Sequence, residues 1–124
     1  MYKAILIDDE NSTIKLLGKI VDWPAFGFEI AGTASDGDEG LLLYEMVRPD
    51  LIIVDILMPV MDGMEFIRRV RERDQMVKIV ILSAYGEFKY AQQAIHYGVS
   101  QYILKPLDEE IVKQVLSDIK FKLD

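Results

Sequence analysis

The 124-residue chain carries 21 acidic and 14 basic side chains, a formal net charge of −7, which argues against a surface that grips nucleic acid or an anionic membrane by charge. Apolar residues make up 51% of it, enough for a core, and the absence of cysteine excludes a disulfide scaffold and a thiolate zinc site. No apolar run approaches the roughly 20 residues of a membrane span, and acids interrupt the N-terminal run MYKAILIDDE before it reaches signal-peptide length, so the chain reads as one cytosolic domain over residues 1–124.

The elements alternate along the chain. YKAILI at 2–7 is short, apolar and followed by acids, as a buried strand would be. From Ser12 to about Val21, Ile14, Leu17 and Val21 have helical spacing with Leu16 and Ile20 beside them, and Asn11 or Ser12 is expected to cap this helix. Pro24 and Gly27 make DWPAFGF a loop, in which Trp23 is expected to pack. FEIAGTA at 28–34 is a second strand, and the helix from Gly37 to Val47 is stopped by Pro49. DLIIVD at 50–55 is a third strand, and its unbroken apolar run indicates burial on both faces, the habit of a parallel sheet. Asp62 can cap a helix whose inner face is Met64, Phe66, Ile67 and Val70. VKIVILS at 77–83 is a fourth strand, followed by a helix from about Glu87 to Tyr97 with Gly98 as its C′ residue. SQYILK at 100–105 is a fifth strand, and Asp108 caps a last helix with Ile111, Val112, Val115, Leu116 and Ile119 on one stripe. Five strands alternating with five helices imply parallel strands, right-handed crossovers and a three-layer, doubly wound α/β domain.

In such a fold ligands bind beyond the carboxyl ends of the strands. Asp8 and Asp9 end the first strand, Asp55 the third, Ser83 the fourth and Lys105 the fifth. Singly, each has an ordinary structural role as a turn, cap or surface residue. Together they bring three acids, a hydroxyl and a cation to one sheet edge. Two unit charges about 4 Å apart repel by roughly 4 kcal/mol at an effective dielectric near 20. A divalent cation removes that penalty, and Mg²⁺ suits a site with few protein ligands. A carboxylate, a magnesium ion, a lysine and a hydroxyl make a phosphoryl-transfer site with the carboxylate as nucleophile. His96, the one histidine, lies in the fourth helix away from this edge, and the six methionines read as core filler.

In this order and spacing, IDDE at 7–10, Asp55 with Met58–Pro59 after it, Gly63, LSA at 82–84 and YILKP at 102–106 resemble the receiver domain of two-component response regulators, over the whole chain. The resemblance implies a flavodoxin-like (βα)5 fold with a parallel five-stranded sheet of order 2-1-3-4-5. It implies Asp55 as phosphoacceptor from a sensor histidine kinase, with Mg²⁺ held by Asp9, Asp55 and the carbonyl of Leu57 and reached by Asp8 through water. Lys105 would pair with the phosphoryl group, Ser83 would hydrogen-bond it, Tyr102 matches the aromatic switch position, and the Lys105–Pro106 peptide is expected to be cis. Such a chain is a switch that catalyses only its own phosphorylation and dephosphorylation. Homodimerisation on phosphorylation is compatible with it, and DNA would be reached only through a separate output domain. The stretch from Trp23 to Gly37 is similar to receivers carrying an AraC-type helix-turn-helix domain.

Two departures are small: Ser83 stands for the more usual threonine, and Val99 for a small residue. Leu57 and Tyr85 occupy the positions that control water access in the family, and both are large and lack a carboxylate or amide, so a long-lived phosphoryl group is expected. A phosphatase of the haloacid dehalogenase type would carry an acid where Leu57 stands. A nucleotide-binding domain is disfavoured because no G-x-G-x-x-G or G-K-[ST] loop is present. The intact acids, Ser83 and Lys105 disfavour a degenerate receiver that only binds.

Overall fold

The computed structural model describes residues 1–84 and 89–124. Its elements are β1 Tyr2–Ile7, α1 Asn11–Ile20, a 3-10 turn Trp23–Phe26, β2 Phe28–Ala34, α2 Gly37–Val47, β3 Leu51–Asp55, α3 Gly63–Arg71, β4 Lys78–Ser83, α4 Lys89–His96, β5 Gln101–Leu104 and α5 Glu109–Leu123. The strands form one parallel sheet of order β2-β1-β3-β4-β5, so the strand order reverses at β1 and opens a crevice between the carboxyl ends of β1 and β3.

The sheet separates two apolar layers, because successive strand residues face opposite sides. Ile5, Ile7, Ile52, Val54, Ile79 and Ile81 point to one side, against Tyr44 of α2 and Phe66, Ile67 and Val70 of α3. Ala4, Leu6, Leu51, Ile53, Val80 and Leu82 point to the other, against Leu17 of α1 and Val112, Val115, Leu116 and Ile119 of α5. Every residue of β3 is buried, as its unbroken apolar run predicted. Helix starts follow the expected capping chemistry at Asp62 and Asp108, whose carboxylates accept backbone N–H groups of the first turn. Gly98 takes the left-handed φ of +67° expected after α4. Among the described residues, no helix is long and apolar enough to cross a membrane.

Three expectations change, and a fourth lies outside the described residues. The N-cap of α1 is Glu10 rather than Asn11 or Ser12, because the Asp8 carboxylate holds the Glu10 N–H at 2.8 Å and starts the helix earlier. Ile111 is half exposed, at the edge of the stripe set by Val112, Val115, Leu116 and Ile119, about 40° beyond Val115. The loop after α1 contains a 3-10 turn, and its Trp23 is a core residue: the indole is 3% exposed and stacks edge-on against Phe28. The start of the fourth helix at Glu87 falls outside the described residues, where α4 is seen from Lys89.

The Trp23 indole N–H donates to the Leu17 carbonyl at 2.8 Å in a buried setting. Trp23→Phe deletes that donor and part of the ring volume. The expected loss is about 1–2 kcal/mol of unfolding free energy, read by urea titration followed by far-ultraviolet circular dichroism, with an unchanged denaturant slope.

Candidate functional site

The crevice at the carboxyl edge is lined by acids because β1 and β3 end there together. Ile7 pairs with Val54, so Asp8 and Asp55 are carried to the same level as each strand terminates. Asp8 is 1% and Asp55 5% exposed, whereas Asp9 faces solvent. Carboxylate oxygens of Asp8, Asp9 and Asp55 all lie within 4.8 Å of one another.

Lys105 enters this cluster from the end of β5. Its N–H donates to the Ser83 carbonyl at 2.8 Å, which locks the two residues side by side, and the Lys105–Pro106 peptide is cis as expected. The ammonium Nζ lies 3.1 Å from Asp8 Oδ2, 3.1 Å from Glu10 Oε1 and 3.3 Å from Asp55 Oδ2. Ser83 is fully buried, and its hydroxyl donates to the Ala84 carbonyl at 3.0 Å. Tyr102 is half-buried on β5, against the core layer that α2 and α3 cover. Leu57 stands half exposed at the rim two residues past Asp55, while Tyr85 falls outside the described residues. His96 lies on α4, edge-on to Tyr97, and lines a groove of about 460 Å³ between α3 and α4 that includes no member of the acidic cluster.

Two members of the site are structurally clearer than their sequence context. Glu10 was legible only as part of an acidic turn, yet it contacts Lys105 across 95 positions of sequence. Gly63 was legible only as part of a motif. Here its N–H donates to the Ile56 carbonyl at 2.7 Å, and a Cβ added to it would stand 2.0 Å from the Asp55 carbonyl oxygen. The start of α3 therefore lies directly against the backbone of Asp55, and only glycine permits the approach.

The electrostatics are unfavourable by construction. Burial pushes the Asp55 carboxyl up, the Asp8 charge pushes it further, and Lys105 only partly offsets them, leaving it at about 6. Burial likewise raises Asp8, against the Glu10 N–H and the Lys105 ammonium. Burial works to lower Lys105, but its close contacts with Asp8 and Glu10 and the charge of Asp55 outweigh it and hold the ammonium above its ordinary range. Asp8 Oδ1 accepts the Glu10 N–H, but Asp8 Oδ2 is buried and, among the described residues, makes no aligned hydrogen bond, only the ion pair with Lys105. Three converging carboxylates, one with an unmatched buried oxygen, fit a hard divalent cation. A neighbouring cleft of about 180 Å³, lined by Asp8, Asp9, Asn11, Thr33, Ser35 and Glu39 among others, opens the cluster to solvent.

Two outcomes follow from this geometry. An acid whose folded pKa is raised binds its proton more tightly in the folded state, so its contribution to stability is lost as pH rises. For Asp55 the window runs from its unfolded value near 4 to about 6. In a chelator, Asp55→Asn should therefore be more stable than the parent at pH 7 by on the order of 2 kcal/mol, converging with it near pH 4; thermal melts across that range measure it. Gly63→Ala should destabilise the fold by several kcal/mol, on the order of 3, because the clash is with backbone; the same melts read this loss.

Residues 4–117 match the family model described as the response regulator receiver domain. The chain is 37% identical over 119 residues to the transcriptional regulatory protein YesN of Bacillus subtilis, covering 96% of this chain and 32% of that protein, so it spans about a third of that relative's length. The REC domain of AraT, a response regulator from Geobacillus stearothermophilus, superposes with a TM-score of 0.94 at 35% identity, covering 98% of this chain and 95% of that one. The CheX–CheY–BeF3–Mg complex of Borrelia burgdorferi has a TM-score of 0.87 at 30% identity, covering 96% of this chain and 89% of that one.

Proposed function

The chain belongs to the response regulator receiver domain family, and from that premise we propose that residues 1–124 form one receiver in which Asp55 is the phosphoacceptor. The observation that carries the assignment is the Asp55 carboxylate, buried at the end of β3, with the Lys105 ammonium 3.3 Å from its Oδ2 and two further carboxylates converging on it.

In this reading an Asp55 oxygen attacks the donor phosphorus. The new O–P bond forms as the donor's bond breaks, and the electron pair of that bond leaves with the donor: histidine in a sensor kinase, acetate in acetyl phosphate. The nucleophile must be ionised, which an Asp55 pKa of about 6 allows at neutral pH. Burial in β3 and the close contact with Gly63 hold its backbone still, so that attack needs little reorganisation. Lys105 faces the phosphoryl oxygens and offsets their charge. Asp9, Asp55 and the Leu57 carbonyl would hold Mg²⁺ directly, with Asp8 acting through water. Bound there, the ion supplies positive charge to the phosphoryl oxygens. The Mg²⁺ in the related Borrelia complex supports this choice of cation.

The phosphorylated state is read out by Ser83 and Tyr102. The Ser83 hydroxyl leaves the Ala84 carbonyl for a phosphoryl oxygen, and the half-buried Tyr102 changes rotamer, altering the surface around β5. The donor is a sensor histidine kinase in the cytoplasm. The output is transcriptional, a reading supported by the likeness to the transcriptional regulatory protein YesN, and runs through a DNA-binding domain outside this span and a homodimer formed on phosphorylation.

Incubation with acetyl phosphate and Mg²⁺ should add the mass of one phosphoryl group to the chain, on Asp55 by peptide mapping. Asp55→Asn should remain unmodified. An adduct on any other residue in the parent chain overturns the assignment.

A further inference from the structure

We propose that Glu10 is a positioning residue that holds Lys105 back from the phosphoryl group, and that release of this contact limits how fast Asp55 is phosphorylated. The inference rests on the phosphoacceptor reading of Asp55 and adds a restraint to it.

An ammonium has three N–H groups and accepts nothing. Lys105 Nζ lies 3.1 Å from Asp8, 3.1 Å from Glu10 and 3.3 Å from Asp55; Glu10 and Asp55 accept its N–H groups, and Asp8 Oδ2 pairs with it by charge without an aligned hydrogen bond. A phosphoryl oxygen arriving on Asp55 is a fourth anionic oxygen beside an ammonium already flanked by three, and turning Nζ toward it draws the ammonium away from one of them. Asp8 is the expensive one to release: its side chain is fully buried, and among the described residues Lys105 is the one ion-pair partner of an Oδ2 that makes no aligned hydrogen bond. Asp55 is the reacting group and cannot leave. The Glu10 side chain is 60% exposed, so its carboxylate returns to water at little cost. Glu10 is therefore the arm that opens.

Glu10 is also fixed where it can act. Its backbone N–H is held by Asp8 Oδ1 and its carbonyl accepts from Thr13 and Ile14, which anchors the residue at the start of α1. Only the side chain is free to swing. The contact joins the first turn after β1 to the end of β5 and covers one side of the Asp8–Lys105–Asp55 triangle.

The test compares phosphorylation by acetyl phosphate at saturating Mg²⁺, followed by intact-mass spectrometry, in the parent chain, Glu10→Gln, Glu10→Ala and Glu39→Gln. Glu39 lines the cleft beside Asp8 and Asp9 and binds Ser35 rather than Lys105, so it controls for a simple loss of negative charge. Both Glu10 variants should react about threefold faster, the factor that an exposed ion pair of about 0.6 kcal/mol carries, while Glu39→Gln matches the parent. A gain of rate is a readout that structural damage does not produce. Glu10 variants that react no faster, or an equal gain in Glu39→Gln, overturn the restraint and leave the phosphoacceptor reading intact. A parent chain that takes no phosphate on Asp55 overturns both.

Discussion

Two carboxylates buried side by side at the ends of neighbouring parallel strands set the terms for the rest of the molecule. Asp8 and Asp55 are each almost wholly removed from water, and burial raises both carboxyls, helped at Asp55 by the charge of Asp8 and at Asp8 by that of Asp9. A single ammonium, Lys105, bridges them and cannot neutralise both. The domain therefore carries an electrostatic defect at one point of its surface, open to solvent and matched to a cation and an anionic group together.

Such a defect persists only where the surrounding structure over-determines it. Here the support is apolar burial on both faces of the sheet. β3 is buried at every residue and hydrogen-bonded between β1 and β4, so Asp55 ends the most constrained strand in the fold. Gly63 lets the start of α3 press against the Asp55 carbonyl, closing the turn after the strand. The unfavourable charge term is thus offset by packing elsewhere, and a ligand that relieves it acts on a backbone already in position.

The opposite edge of the sheet is built by the reverse rule. There Tyr44 donates to Asp74 at 2.9 Å, Asp74 accepts the N–H groups of Met76 and Val77, and the buried Arg71 donates to the carbonyls of Asp74, Tyr97 and Gly98. Each guanidinium nitrogen of Arg71 has an acceptor, and α2, α3, the start of β4 and the end of α4 are tied together. One edge of the domain is a satisfied polar network that rigidifies, and the other an under-satisfied one poised for a ligand. In α4, Ala94 is the one buried side chain among those described, and Arg71 ties down the C-terminal end of the helix through the Tyr97 and Gly98 carbonyls.

The sequence by itself determined the alternation of strands and helices, the two-sided burial of β3, and the arrival of Asp8, Asp9, Asp55, Ser83 and Lys105 at one sheet edge. These are legible because they depend on local periodicity and on a topology with few alternatives. The tertiary structure alone decided how those residues meet. The Glu10–Lys105 contact, the Asp8 oxygen without an aligned hydrogen bond and the pressure of Gly63 on Asp55 depend on strand register and turn geometry between segments far apart in the chain. The same is true of Ile111, whose exposure follows from the phase of α5 on the sheet, and of Trp23, which a loop context hid as a core residue. Periodicity reports which face a residue is on. It carries no information about which atom of a distant segment will stand three ångströms away, because that distance is fixed only when the layers pack.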